Sequence, residues 1–203
     1  MHIAVTGNIG AGKTTLASLL AKHFGWEVFF EAVEGNPYLA DFYADMERWS
    51  FNLQIYFLKS RFEQVRQIMD STQRIIQDRT IYEDAHIFAK NLHESGLMSA
   101  RDYESYLALF ELMMSVVKPP DLMIYLRADL NKLVGQIQKR GRDFEANISE
   151  QYLRDLNRHY EEFVENYKDG KLLIIEVNEL DYANRPDDLA KVIDLVDKSL
   201  LYG

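Results

Sequence analysis

Residues 7–15 read GNIGAGKTT, with the apolar run HIAV (2–5) just before them and TTLASLLAKHF (14–24) at helical spacing just after. A strand, a glycine-rich turn and a helix in that order leave few folds open. Gly7, Gly12, Lys13 and Thr14 complete the pattern G-x-x-x-x-G-K-[ST]. Glycines let such a loop turn tightly, so that its backbone N–H groups point inward at phosphate oxygens. The lysine adds a mobile positive charge for the β and γ phosphates, and the threonine a hydroxyl for Mg²⁺. The helix that follows turns its positive end toward the same anion. Gly7, Asn8, Ile9, Gly10, Ala11, Gly12, Lys13, Thr14 and Thr15 are therefore candidate ATP-binding residues, with Lys13 also a candidate catalytic residue.

Four more short runs rich in branched and aromatic residues follow: WEVFF (26–30), RIIQD (74–78), DLMIYL (121–126) and KLLIIEV (171–177). Such runs fit strands buried on both faces. The stretches between them carry apolar residues at helical spacing, as in Leu53, Phe57, Leu58 and Phe62, or Tyr106, Phe110 and Met113. Five strands with helical crossovers give a parallel α/β sheet. Pro119 and Pro120 are expected to stop the helix before the fourth strand. With 203 residues and no linker or repeat, the chain reads as one domain, 1–203. It has no cysteine, which excludes disulfides, Cys-ligated zinc and thiolate catalysis. A net charge of −9 disfavours a nucleic-acid partner. No run reaches the roughly 20 apolar residues of a membrane helix, and the start lacks signal-peptide features. The cytoplasm is the expected compartment.

The phosphate loop alone does not say where the third phosphate goes. A guanine-binding switch would carry N-K-x-D and D-x-x-G. Here NKLV (131–134) lacks the aspartate and DRTI (78–81) lacks the glycine. Instead, a carboxylate is expected at the C-terminal end of each of two strands: Glu31 ends the second and Asp78 ends the third. Ligands of open parallel sheets sit outside the carboxyl ends of the strands, so Lys13, Glu31 and Asp78 should share one crevice. Phosphoryl transfer to an alcohol needs alignment, charge neutralisation and a group to take the hydroxyl proton. Glu31 is placed to be that base, and Asp78 to hold Mg²⁺ with Thr14. Arg140 and Arg142 flank Gly141 in a polar stretch, QKRGRDFEAN (138–147). They suit a short lid, about 140–147, that closes guanidinium groups on the triphosphate. The same arginines would also serve as a basic helix end bonding its own carbonyls. His23 and His86 read as structural or exposed.

The segments GNIGAGKTT, FFEAVEGNPYL, ERWSFNLQIYFLKSR, DRTIYEDAHIFAKNL and RGRDFE, with YL shortly after, run nearly end to end. Together they resemble the deoxyribonucleoside kinases, most closely the short bacterial deoxyadenosine and deoxyguanosine kinases related to deoxycytidine kinase. The resemblance implies a P-loop NTPase-like three-layer α/β/α fold with a five-stranded parallel sheet and an arginine-bearing lid. It implies transfer of the γ-phosphate of ATP to the 5′-hydroxyl of a deoxynucleoside. Deoxyadenosine is favoured, with deoxyguanosine and deoxycytidine next. A thymidylate-type kinase or a non-catalytic nucleotide-binding module are the alternatives.

The resemblance also assigns roles. Glu31 looks like the base on the 5′-hydroxyl, and Arg79 like the arginine that holds the 5′ oxygen region and that carboxylate. Gln54 looks like the reader of the base edge, Phe88 like its stacking ring, and Tyr43 like a contact to the sugar 3′-hydroxyl. Arg61 and Asp84 look like a charged pair beside the base. Gln151 aligns with a second sugar contact, though adjacent Glu150 would take its place after a one-residue shift. Asn178, Asp181 and Tyr182 look like the contact for the ATP adenine. Ala32 departs from a proline common in the family. The family's habit also implies a homodimer, through the Met- and Tyr-rich helices near 82–117.

Chemistry lends support to part of this. Gln54 and Arg61 are two helical turns apart and share a face, and Asp84 and Phe88, four apart, share another. Taken without the resemblance, Arg61–Asp84 is equally a plain ion pair between helices, and Phe88 and Tyr43 fit a core.

Overall fold

The computed structural model describes residues 1–202 apart from 32, 34, 143, 144, 146 and 147. Ala32 and half of the expected lid therefore lie outside the described residues. The chain runs β1 (His2–Gly7), α1 (Lys13–Phe24), β2 (Glu27–Phe29), α2 (Leu39–Ala44), α3 (Met46–Asp70) and β3 (Ile75–Asp78). A continuous helical stretch then comprises α4 (Ile81–Glu83), a π-helical segment (Asp84–Ala89) and α5 (Lys90–Glu94). After it come α6 (Ala100–Met114), β4 (Leu122–Arg127), α7 (Leu130–Arg140), α8 (Glu150–Asn166), β5 (Lys171–Glu176) and α9 (Pro186–Tyr202).

All five strands are parallel, in the order β2-β3-β1-β4-β5. Side chains alternate across a strand, and β4 shows what that does here. Leu122, Ile124 and Leu126 enter one core with Leu16 and Leu20 of α1 and Val192 and Val196 of α9. Met123 and Tyr125 point the other way, toward α3, α6 and α8. Helices thus cover both faces, the three layers expected of this strand pattern.

Three local expectations change. The central strands are buried on both faces, but β2 and β5 are edges, and Ile174 on β5 is 38% exposed. The helix before β4 ends at Met114, so Pro119 and Pro120 lie in the connector and do not themselves stop it. Glu31 stands two residues beyond the end of β2, in irregular backbone.

Candidate active site

β1 delivers the chain into the phosphate loop at Gly7, and α1 begins at Lys13. Gly12 has φ +95°, a conformation that strains any other residue, and a Cβ there would lie 2.2 Å from the Tyr182 hydroxyl. That hydroxyl donates to the Ala11 and Gly12 carbonyls. The loop after β5 is thereby latched to the phosphate loop. Asp181 and Tyr182 line a small cleft with Gly10, Gly12, Thr15 and Lys132. Asn178 does not line it. Its side-chain oxygen accepts from Asp129 N at 2.8 Å, tying the ends of β4 and β5 together. Lys132, which sequence reasoning missed, donates to the carbonyls of Asn178 and Leu180 and so shapes this loop from behind.

Lys13 is buried, its Nζ donating to Asn8 O at 2.9 Å. Burial, helped by the nearby Arg79 charge, lowers its pKa to about 8. Thr14 Oγ1 donates to Asp78 Oδ2 at 2.5 Å. Asp78 Oδ1 is buried and has no hydrogen-bond partner among the described residues.

Beside the phosphate loop lies a cavity of about 470 Å³. Lys13, Thr14, Glu31, Asp78, Arg79, Arg140 and Arg142 line it together with Tyr43, Gln54, Asp84 and Phe88. The phosphate and acceptor halves of the expected site are thus one space. Glu31 is the charge centre: Arg79 Nε stands 2.8 Å and Arg61 Nη2 3.1 Å from its Oε1. Burial alone would raise the Glu31 pKa, but Arg79, Arg61 and Lys13 outweigh it and bring it down to about 2. Arg61 does not line the cavity. It stands behind the wall, 2% exposed, reaching Glu31, Asp84 Oδ2 at 3.3 Å and the Asp78 carbonyl at 3.2 Å. Its link to the cavity is through Asp84, which lines it. Burial moves the Asp84 pKa up to about 6 against the pull of Arg61.

Arg79 has φ +73°, the one positive φ outside glycine among the described residues. Such a conformation costs about 1–3 kcal/mol and persists where neighbours over-determine it. Here Arg79 N donates to Val5 O, and the guanidinium lies 4.6 Å over the Phe88 ring. Phe88 and Asp84 belong to the π-helical segment, whose wider turn still leaves both side chains on the cavity.

Two further carboxylates escaped the sequence reading. Glu145 bonds Arg140 through Nε at 3.0 Å and Nη2 at 2.5 Å, and stands 3.4 Å from Arg142 Nη1. It holds both arginines at the cavity rim. Its signal was the alternating charge of RGRDFE. Glu83 is wholly buried against Arg79, and its signal was the capping pattern T-x-x-E (80–83). One expectation fails on position. Gln151 is exposed and donates to Asp155 Oδ1 at 3.0 Å, and Glu150 is exposed too. Ser149 caps α8 by accepting from Tyr152 N, which sets the helical phase. That phase turns Tyr152 and Leu153 inward, and Tyr152 lines the cavity instead. His86 packs among Phe110 and Phe163, and His23 is exposed.

A phosphate loop, an acid between two arginines and a cavity of about 470 Å³ thus meet in one place. The model of a family described as deoxynucleoside kinase matches residues 3–201. The chain belongs to the deoxynucleoside kinase family. It is 40% identical over 198 residues to the deoxyadenosine/deoxycytidine kinase of Bacillus subtilis, covering 96% of this chain and 90% of that one. It is 43% identical over 192 residues to the deoxyadenosine kinase of Dictyostelium discoideum, covering 95% and 77%. A solved structure of the deoxyadenosine kinase from M. mycoides, with the products dCMP and a flexible dCDP bound, superimposes with a TM-score of 0.86 at 34% identity. That match covers 98% of this chain and all of the other. This deoxynucleoside kinase is thus an ATP-dependent phosphotransferase. No described helix is long and apolar enough to cross a membrane.

Proposed function

We propose that this deoxynucleoside kinase prefers deoxyadenosine, with deoxycytidine and deoxyguanosine next, and converts each to the 5′-monophosphate. The observation that carries the choice of base is Gln54. Its side-chain oxygen is buried in the cavity wall without a hydrogen-bond partner among the described residues. A buried acceptor left unpaired costs about 1–3 kcal/mol, so the site favours a base that supplies a donor there. A side-chain amide pairs well with the N1/N6 edge of adenine. Asp84, when ionised, accepts a second amino hydrogen. Thymine would present a carbonyl instead. The names of the relatives point the same way, two of them being deoxyadenosine kinases.

In this reading Phe88 stacks on the base, Tyr43 and Tyr152 border the sugar, and Glu31 accepts the 5′-hydroxyl proton. Lys13, Arg140 and Arg142 neutralise charge on the transferring group. Thr14 and Asp78 are hard oxygen donors, and the unpartnered Asp78 Oδ1 leaves capacity for a divalent cation. Magnesium takes one or two protein oxygens and completes its shell with phosphate and water, which fits this pair. Bound there with ATP, it would supply charge neutralisation at the β and γ phosphates. Leu112 near the end of α6 and Val116 just beyond it, 69% and 59% exposed, support a homodimer through that end of the helix.

The deciding experiment offers the four deoxynucleosides, adenosine and thymidylate with Mg-ATP and measures product. Deoxyadenosine should lead and thymidine trail. A lead by deoxyguanosine or deoxycytidine overturns the choice of base, and turnover of thymidylate alone overturns the acceptor.

A second expectation concerns pH. Lys13 is cationic below its pKa of about 8, so the affinity of the free enzyme for ATP should be flat from pH 6 to 7.5. Above about pH 8 the Kd should climb toward ten-fold per pH unit, as the lost proton must be restored on binding. Calorimetric titrations across this range check it. Lys13→Met should weaken binding and abolish the slope, and a slope that survives assigns the proton elsewhere.

A further inference from the structure

Glu83 is 0% exposed, yet its carboxylate is fully engaged with the reaction centre. Oε2 accepts from Thr80 N at 2.7 Å. Oε1 accepts from the Tyr160 hydroxyl at 2.7 Å, from Arg79 Nη1 at 3.2 Å and from Gly7 N at 3.4 Å. Arg79 Nη1 also donates to the Tyr160 oxygen at 2.9 Å. One carboxylate oxygen therefore joins the first residue of the phosphate loop, the arginine that holds Glu31, and helix α8. Capping the turn at Thr80 needs only Oε2. The other oxygen does something else.

The charge balance of the reaction says what. Glu31 lies between Arg61 and Arg79, and each arginine has one further acid: Asp84 for Arg61, Glu83 for Arg79. When phosphoryl transfer occurs, the 5′-oxygen uses an electron pair to form the new P–O bond. Its O–H bond breaks, the proton passes to a Glu31 oxygen, and ADP leaves with the pair of the broken P–O bond. Glu31 is then neutral, and each buried arginine loses one of its anions at that moment. A buried charge without a counterion is strongly destabilising. Arg79, 4% exposed, would be drawn from its place without a second anion.

We infer that Glu83 is the positioning residue of Arg79: it compensates the guanidinium charge while Glu31 carries the proton, and through the Gly7 N–H it keeps that arginine in register with the phosphate loop. Tyr160 completes the clamp from α8. The inference rests on the proposed roles of Glu31 and Arg79.

The test compares Glu83→Gln, Tyr160→Phe, their double variant and Glu31→Gln by steady-state kinetics with deoxyadenosine, alongside ATP affinity and thermal melting. Misplacing a reacting group by about 1 Å costs about 100-fold, so Glu83→Gln should lose on that order in kcat at near-native ATP affinity. Tyr160→Phe should lose less, and the double variant no more than Glu83→Gln alone, since residues acting as a unit are not additive. A Glu83→Gln enzyme that melts earlier but keeps its kcat per folded molecule overturns the inference. Additive losses in the double variant overturn it too. If Glu83→Gln does not fold, Tyr160→Phe decides: a kcat within two-fold of wild type refutes the clamp. A fully active Glu31→Gln would instead remove the reading on which the inference stands.

Discussion

Glu31→Gln is expected to lower kcat with deoxyadenosine by about 10²- to 10⁴-fold, the usual worth of a positioned proton acceptor, with ATP affinity within about three-fold of wild type. Glutamine keeps the shape and one acceptor oxygen but cannot take the proton. At first sight a carboxylate held down to about 2 is a poor base. The chemistry removes the difficulty. In a loose transition state the attacking oxygen gains little bonding before the phosphoryl group has largely left its donor. The hydroxyl becomes acidic only late, and a weak but aligned acceptor then suffices. Until that point Glu31 orients the hydroxyl as an ionised hydrogen-bond acceptor. Steady-state kinetics and ATP titration of the variant check the assignment, and full retained activity would sink it. The same pKa has a consequence for stability. Its folded value of about 2 lies below the ordinary 4.5, so ionised Glu31 contributes on the order of 3 kcal/mol at neutral pH. That contribution is present above about pH 4.5 and fades as pH falls toward 2. Melting of Glu31→Gln should therefore differ from wild type most at neutral pH and least near pH 2.

Much of this site was legible in the sequence because its parts depend on short-range patterns. The phosphate loop is contiguous, and Asp78 sits where a buried strand must end. Gln54 and Arg61 lie seven apart on a regular helix, so periodicity alone puts both on the buried side of α3. What escaped depends on phase and on distant partners. The change from α to π geometry at Asp84 has no composition signal in DAHIFA. A four-residue step there is less than a full π turn, so the expected common face of Asp84 and Phe88 is reached by different geometry. Gln151 and Tyr152 differ by one position, about 100° around a helix, and the Ser149 cap decides which faces the cavity. Glu83 and Glu145 read locally as a helix cap and a surface charge. Only the arrival of Arg79, or of Arg140 and Arg142, gives them their place. The tie that Asn178 makes between the ends of β4 and β5 likewise depends on the approach of Asp129, which the sequence does not announce.

The double change Arg61→Met with Asp84→Ala is expected to raise the kcat/KM of thymidine relative to deoxyadenosine by about 5- to 150-fold, the equivalent of relieving an acceptor-against-acceptor clash of about 1–3 kcal/mol. The pair has to be removed together. Arg61 is buried with three acceptors around it, so Asp84→Ala alone leaves its charge to Glu31 and misplaces the base. Breaking one side of a buried ion pair costs about 3–5 kcal/mol, whereas replacing both sides with apolar groups is often neutral. Melting should reflect that order, with the double variant close to wild type and Asp84→Ala well below it. Arg61→Met alone has a different outcome. The Asp84 pKa already stands near 6 because burial pushes it up and Arg61 holds it back. Removing the arginine takes away the main influence that lowers this pKa, so the balance moves further toward the neutral carboxyl, which donates. A donor suits the thymine carbonyl, so this single variant should also admit thymidine, and that gain should shrink as rising pH ionises Asp84. Turnover of both variants should fall as well, since Glu31 loses one of the two guanidinium groups that align it. Substrate competition at two pH values separates these effects. A ranking unchanged in both variants reduces Arg61–Asp84 to a tie between α3 and the π-helical segment, and base selection then belongs to Gln54 and the shape of the cavity.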